Sequence, residues 1–227
     1  MVEKPSIGRD TPLGELRRKS VVDQAADHLR ERILGGQMPP GTRLREAGLA
    51  RRLGVSRNTL RETLLQLERE SLVRHEPHRG AAVAAPGAAD VDDIFAVRRV
   101  LEAAGLDRLA EGRPASLAPL ALAVDALEAR AETGDWEGYA DSEAGFHAAL
   151  VGGLASPRMS ELHRRALGEL RLALIAVDRA HDPAVPRRYV AEHRRILEGL
   201  RSGATDAARA LLLGHLEEAA AALRRPA

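Results

Sequence analysis

Residues 39–73 read PPGTRLREAGLARRLGVSRNTLRETLLQLERESLV, and this stretch predicts two helices joined by a tight turn. The first helix runs from Glu46 to Leu53, where apolar positions 49, 50 and 53 share one face, and it ends at Gly54. The second helix follows Ser56. Its inward face carries Leu60, Leu64 and Leu67.

The start of the second helix exposes a set of polar side chains. Ser56 is placed to cap this helix, and the leucine stripe leaves the opposite face in solvent. The residues at this exposed end are Ser56, Arg57, Asn58, Thr59 and Arg61. Arginine can bond guanine edges, asparagine can pair with adenine and hydroxyls can reach phosphates, so the set predicts insertion into the major groove of DNA. The alternative is an ordinary helical hairpin with a solvated arginine-rich face.

The flanking sequence favours the DNA-binding interpretation. An amphipathic helix is predicted before the stretch, with apolar residues at 22, 26, 29 and 33 and an end at Gly35 and Gly36. After the stretch, 72–74 and 81–83 read as two short strands around a turn that contains Arg79 and Gly80. Three helices and a two-stranded wing predict a winged helix-turn-helix, with Arg79 as a candidate DNA contact at the wing tip.

Charge is divided unevenly along the chain. Residues 1–86 contain 16 Lys and Arg against 11 Asp and Glu, and the remainder contains 18 against 22, so a net charge of +5 is followed by −4. A basic first part suits nucleic-acid phosphate. The absence of cysteine excludes disulfides and thiolate metal sites. With no apolar run of about 18 residues and no signal-peptide pattern, we expect a cytoplasmic protein without membrane association.

The rest of the chain predicts helices only. Proline and glycine at 84–89 form the joint, and the predicted helices beyond it span about 94–112, 116–133, 135–154, 157–180, 186–201 and 205–224. Short loops between alanine- and leucine-rich helices predict an antiparallel bundle. The expected fold class is mostly α, with a flexible arm at 1–19, a winged helix-turn-helix domain at 20–85 and an all-helical domain at 90–224.

Three histidines of the helical part lie on apolar stripes, namely His147, His193 and His215. Glu143 precedes His147 by four residues, so the two side chains share a helical face. Three imidazoles and this carboxylate converging inside a bundle would form a four-ligand cage for a divalent ion such as Zn, Ni or Mn. The alternative for each histidine is a hydrogen-bonded core residue. His163 and His181 have no comparable carboxylate partner on their own helical face, and no role is predicted for them.

Residues 20–84 resemble the DNA-binding domain of GntR-type transcriptional regulators. The resemblance rests on the turn PPGTRL, on LARRLGVSR, on LRE and on RGAAV at the wing tip. It implies that Arg57 and Arg61 read the operator and that Gly80 approaches the minor groove. It also implies that Ser56 and Thr59 contact the DNA backbone.

Residues 90–224 are similar to the helical FCD effector domain of the FadR-like branch of that family. The similarity rests on VRRVLE, GFHAAL, EHRRILEGLRSG and the last histidine. Metal-binding members use an aspartate four residues before a first histidine, and two later histidines. The corresponding residues here are Glu143, His147, His193 and His215. The family also implies a small organic acid as effector, and Arg98 matches an arginine that would be its second anchor; the alternative is a solvated helix arginine.

Three positions depart from the family pattern. Ala47 stands where some relatives carry a polar DNA contact, which affects the expected base preference. Ser71 replaces a glycine after the recognition helix, at a cost of about 1 kcal/mol if the position is left-handed. Glu143 replaces the usual aspartate, which keeps the donor but shifts the carboxylate by about one methylene and affects metal preference, while nearby Asp141 points off that face.

The sequence therefore predicts a transcriptional repressor whose operator affinity is controlled by a small carboxylic acid bound at or near a metal ion. One recognition helix reads only a few base pairs, so we expect a homodimer on an inverted repeat in double-stranded DNA. The alternatives are a metal-free regulator that senses acyl or sugar-acid ligands and a metal-dependent hydrolase. The absence of HExxH, P-loop, GxSxG and GxGxxG motifs argues against an enzyme.

Overall fold

The structure is a computed structural model that describes residues 19–76, 80–112, 117–176 and 184–224. The expected flexible arm lies outside these ranges except for its last residue, Lys19. Arg79 at the predicted wing tip and His181 also lie outside the described residues.

The described residues form a mostly helical fold with a small sheet. The first part contains α1 (Val21–Leu34), β1 (Arg43–Leu44), α2 (Glu46–Leu53), α3 (Arg57–Arg69), β2 (Val73–Glu76) and β3 (Gly80–Val83). The second part contains α4 (Ala88–Ala110), α5 (Ala118–Thr133), α6 (Trp136–Gly152), α7 (Pro157–Ala176), α8 (Ala184–Ser202) and α9 (Thr205–Arg224). The predicted winged helix-turn-helix and six-helix bundle are both confirmed. Helix α8 begins at Ala184, two residues before the predicted start, because proline is tolerated in a first helical turn.

Local signals account for the ends of the helix-turn-helix. The Ser20 side chain and Asp23 form a capping box at the start of α1. Gly54, with φ of 68°, ends α2 in the left-handed conformation that glycine adopts without strain. The side chain of Ser56 then caps α3. These three signals fix where α1 and α3 begin and where α2 ends.

The wing contains one more strand than predicted. Strands β2 and β3 form the expected antiparallel pair, and β1 adds to the other edge of β3, giving the order β1-β3-β2. Arg43 lies opposite Ala82, and Leu44 lies opposite Ala81. A strand of two residues is too short to show an alternating pattern, so its pairing depends on β3 and not on its own sequence.

The helix-turn-helix has its own apolar core, which includes Leu29, Ile33, Leu60, Leu64, Leu67, Leu72 and Val73. Leu172 of α7 is fully buried in the same core. Its neighbour Arg171 donates from Nε to the carbonyl oxygen of Leu34 at 3.0 Å, which satisfies an end carbonyl of α1. One helix of the bundle thus completes the core of the helix-turn-helix unit.

Helix α4 is central to the bundle, since it packs on α6, α7 and α9. Its Gly105 allows a close crossing with α6, because a Cβ atom there would lie 2.1 Å from the carbonyl oxygen of Leu150. About one turn before these two positions lie Glu102 on α4 and His147 on α6. The crossing therefore brings polar side chains of two helices together inside the bundle.

Ser71, which follows α3, adopts the left-handed conformation, with φ of 61°, so the condition under which it costs stability is met. Replacing it with glycine should raise the free energy of unfolding by about 1 kcal/mol, because glycine adopts positive φ without a Cβ clash. Urea denaturation of the full chain measures the change. The opposite kind of change is Gly54→Ala, at φ of 68° and with open space for a Cβ, and it should lower the free energy of unfolding by a similar amount. An unchanged urea midpoint for Ser71→Gly would contradict the argument.

Candidate metal centre and nucleic-acid interface

The N-terminal end of α3 is built as the sequence predicted. The Oγ of Ser56 accepts a hydrogen bond from the backbone N–H of Thr59 at 3.0 Å, while the leucine stripe of α3 is fully buried. Arg57, Asn58 and Arg61 are exposed, and Thr59 is partly exposed. The helix thus gathers the predicted DNA-contact side chains at one solvent-facing end.

Two of these side chains are held by acidic neighbours. Arg61 Nε donates to Glu46 Oε2 at 2.8 Å, although 64% of the arginine side chain remains exposed. Asn58 donates from Nδ2 to Glu62 Oε1 at 2.9 Å. Arg57 forms no ion pair within the described ranges. Its guanidinium is therefore the most available of the set for a base edge or a phosphate.

Gly80 opens β3 at the wing with φ of 79° and is exposed. A groove runs from this glycine to the start of α2, where Glu46 holds Arg61. The structure therefore places the wing beside the recognition helix. Sequence reasoning could not establish this proximity, because it depends on the pairing of β1 with β3.

The predicted metal ligands converge inside the bundle. Glu143 and His147 come from α6, His193 from α8 and His215 from α9, and one donor atom from each lies within 4.8 Å of the other three. The Nε2 of His147 is 3.2 Å from Glu143 Oε1 and 3.4 Å from His193 Nε2. The Nε2 atoms of His193 and His215 each lie 3.6 Å from Glu143 Oε1. All three imidazoles direct Nε2 towards one centre.

Two further carboxylates fix the orientation of the His147 and His215 rings. Nδ1 of His147 lies 2.7 Å from Glu102 Oε2, and Nδ1 of His215 lies 3.0 Å from Glu192 Oε2. A carboxylate only accepts, so each Nδ1 donates a proton to it. In the neutral ring this leaves the Nε2 lone pair directed at the cluster, an arrangement typical of metal-ligating histidines.

Glu102 belongs to a wider buried network that sequence reasoning missed. Its side chain is fully buried and accepts from Arg98 Nε at 2.8 Å and from His163 Nε2 at 2.9 Å, as well as from His147. Arg98 is 3% exposed, so the alternative of a solvated helix arginine is wrong.

His163, for which no role was predicted, also has a carboxylate partner. Its partner, Glu102, is on another helix, 61 residues away, where no local pattern could indicate it. The Arg98–Glu102 pair is different. Its spacing of four residues on one helix was a usable signal.

The electrostatics of the four-residue cluster favour a positive charge at its centre. Burial would raise the pKa of Glu143, but the imidazoles of His193, His147 and His215 hold it well below its usual range. Burial lowers the pKa of His193 to about 3. In His215 burial has the same tendency, yet hydrogen bonds to the Glu143 and Glu192 carboxylates raise the pKa to about 9. The ionised Glu143 carboxylate thus faces the neutral ring of His193 and a ring of His215 that retains its proton, so the cluster favours a positive charge, from a proton or a cation, at its centre.

The donor set also fits a divalent metal ion in size and chemistry. Ligand atoms about 2.1 Å from one tetrahedral ion lie roughly 3.4 Å apart. Four of the six separations between donor atoms, at 3.2 to 3.6 Å, match this spacing, and all six lie within 4.8 Å. Imidazole nitrogens with one carboxylate oxygen suit Zn, Ni and Mn.

Comparison with known proteins identifies the family of the chain. Residues 21–83 match the family model described as bacterial regulatory proteins, gntR family, and residues 93–218 match the FCD domain model. The chain belongs to the gntR family. It is a DNA-binding transcriptional regulator and not an enzyme, so the hydrolase interpretation is excluded. No helix in the described part of the regulator is both long and apolar enough to span a membrane.

Relatives align over most of the regulator. An HTH-type transcriptional regulator from Streptomyces ambofaciens is 31% identical over 196 residues, 83% of this chain and 78% of that protein. A probable D-xylose utilization operon transcriptional repressor from Paenarthrobacter nicotinovorans is 26% identical over 208 residues, 91% of this chain and 90% of that protein. The crystal structure of a GntR transcriptional regulator from Rhodococcus sp. RHA1 has a TM-score of 0.77 and 35% identity, covering 89% of this chain and 96% of that one.

Replacing Glu102 with glutamine tests the buried network of the regulator. The free energy of unfolding should fall by about 3 to 5 kcal/mol, because the buried Arg98 guanidinium would lose its counter-charge. Glu161→Gln is the matched control, since Glu161 pairs with Arg164 and Arg165 at the surface and should cost less than about 1 kcal/mol. If urea denaturation showed equal losses of unfolding free energy in the two variants, the stabilising role of the buried network would be contradicted.

Proposed function

We propose that the regulator binds an inverted-repeat operator as a homodimer in the cytoplasm and represses transcription. In this proposal a small carboxylic acid, bound beside a divalent metal ion in the FCD domain, changes its operator affinity. The repressor mode is supported by the printed name of the Paenarthrobacter nicotinovorans relative. A homodimer follows from the operator, because one α3 reads only a few base pairs and twofold symmetry doubles the contacts.

The observation that carries the sensing part is the convergence of four donor atoms from three helices inside the bundle. We assign the metal ligands to Glu143, His147, His193 and His215. A divalent ion held there supplies a Lewis-acid position for a ligand carboxylate. The chain's own residues supply the rest of the site: Glu102 and Glu192 orient two imidazoles, and the surrounding helices restrict water.

Arg98 is the proposed second anchor for the acid. Its guanidinium is buried, is held through Nε by Glu102 and lies near enough to His215 to oppose in part the rise that the Glu143 and Glu192 carboxylates cause in that residue's pKa. A fixed cation next to the cluster favours an anionic ligand. This electrostatic preference supports a carboxylic acid over a neutral ligand.

Helix α7 provides a physical route between the sensing site and the DNA-binding part. His163, near its start, donates to Glu102, which in turn accepts from the proposed ligand His147. Leu172, near its end, is buried in the core of the helix-turn-helix. A tenfold change in operator affinity requires a difference of only about 1.4 kcal/mol between two arrangements of this contact.

The assignment of α3 predicts a loss of sequence reading when its arginines are removed. Arg57→Ala and Arg61→Ala should each cost roughly 1 to 3 kcal/mol in operator binding and relax discrimination at the base that each one reads. The operator is selected from a random duplex pool by the wild-type protein, and affinities are compared on the selected and scrambled sequences. Unchanged operator binding in the double variant would refute the assignment.

The metal assignment predicts that one substitution removes both the bound metal and the response to acids. His147→Ala or His193→Ala should remove bound metal and abolish the effect of carboxylic acids on operator binding, while circular dichroism shows a folded chain. Metal content is measured on protein purified without chelator, and operator binding is measured with and without a panel of small acids.

The exposed His28 on α1 provides the control for this experiment, since His28→Ala should keep both metal and response. A His147 variant that kept both its bound metal and its response to acids would show that the histidines only pack in the core. A wild-type protein that responds to an acid without metal would instead favour the metal-free regulator.

A further inference from the structure

A cationic cleft lies between the wing and the helix-turn-helix. It is lined by Arg43, Leu44, Arg45, Glu46, Gly80 and Ala81. Strand β1 forms one wall, and because β1 pairs with β3, that wall stands beside the start of the wing hairpin. The third strand, which sequence analysis did not predict, is therefore what creates this wing cleft.

The two arginines of the wing cleft are exposed, and their charges are unpaired among the described residues. Leu44 is 4% exposed and packs inward, while Arg43 of β1 and Arg45, the residue before α2, are both exposed on either side of it. The carboxylate of the cleft, Glu46, is already bound to Arg61. Neither Arg43 nor Arg45 has an acidic partner among the residues that the structure describes.

The position of the wing cleft matches the path of a DNA strand. One end is Gly80 at the wing, and the other is Glu46, which holds Arg61 of the recognition helix. If α3 enters the major groove and the wing approaches the adjacent minor groove, the sugar-phosphate backbone that separates the two grooves must pass between them. That path runs over the cleft.

We propose that Arg43 and Arg45 bind the phosphate backbone of double-stranded DNA in the wing cleft. This inference rests on the proposed docking of α3 and the wing, and it adds two contacts that carry no base information. Their contribution is electrostatic and depends on salt, because each neutralised phosphate releases condensed counterions.

The test is the salt dependence of DNA binding by the full chain. Affinity is measured by fluorescence anisotropy on the selected operator and on a scrambled duplex, over roughly 50 to 200 mM salt. In the Arg43→Ala, Arg45→Ala double variant, the plot of log affinity against log salt should become shallower by about 1.8, and affinity near 100 mM salt should fall roughly tenfold or more on both duplexes. Arg43→Lys with Arg45→Lys keeps the charge and should restore most of the slope.

Arg69 provides the matched control. It is an exposed arginine at the opposite end of α3, about 18 Å along the helix from Arg57, and it has no acidic partner in the described part of the chain. Arg69→Ala should leave the slope unchanged. An unchanged slope in the double alanine variant, or an equal change in Arg69→Ala, would overturn the proposal. Failure of the wild type to enrich any operator would count against sequence reading by α3, and the slope on the scrambled duplex would still decide the role of the cleft.

Discussion

The buried carboxylate of Glu102 is the interaction on which the arrangement of the bundle depends. A charge removed from water must be compensated, and here one donor each from α4, α6 and α7 provides this. The three donors are Arg98, His147 and His163. Arg98 and His163 donate to Oε1 and His147 donates to Oε2, so the relative positions of three helices are restricted by one side chain. The close α4–α6 crossing at Gly105 makes this geometry possible.

The Glu102 carboxylate also links the four-residue cluster to the helix that packs on the DNA-binding part. On one side it orients His147, whose Nε2 faces the four-residue cluster. On the other it receives a hydrogen bond from α7, and α7 contributes Leu172 and Arg171 to the packing of the DNA-binding part. The helix-turn-helix core is thus completed by a residue from the FCD domain. A change at the bundle that displaced α7 would alter this core and not only the linker.

Charge is used differently in the two parts. In the bundle, the buried arginine and the buried histidines face carboxylates, so the electrostatics there organise the interior. On the DNA-binding surface, Arg57, Arg43 and Arg45 are exposed and have no acidic partner among the described residues. Unpaired surface arginines retain their charge for phosphate or base edges. The division of net charge in the sequence reflects these two uses.

The sequence by itself determined the features that depend on near neighbours. The cap at Ser56, the glycine end of α2, the leucine stripe of α3 and the Glu143–His147 spacing all involve residues a few positions apart, so one sequence window contains the whole signal. Tertiary structure alone decided the third strand, the placement of Leu172 and the Glu102–His163 bond. Their partners are brought together only by packing of distant segments, and no periodicity within a helix or strand records which distant residue will lie opposite.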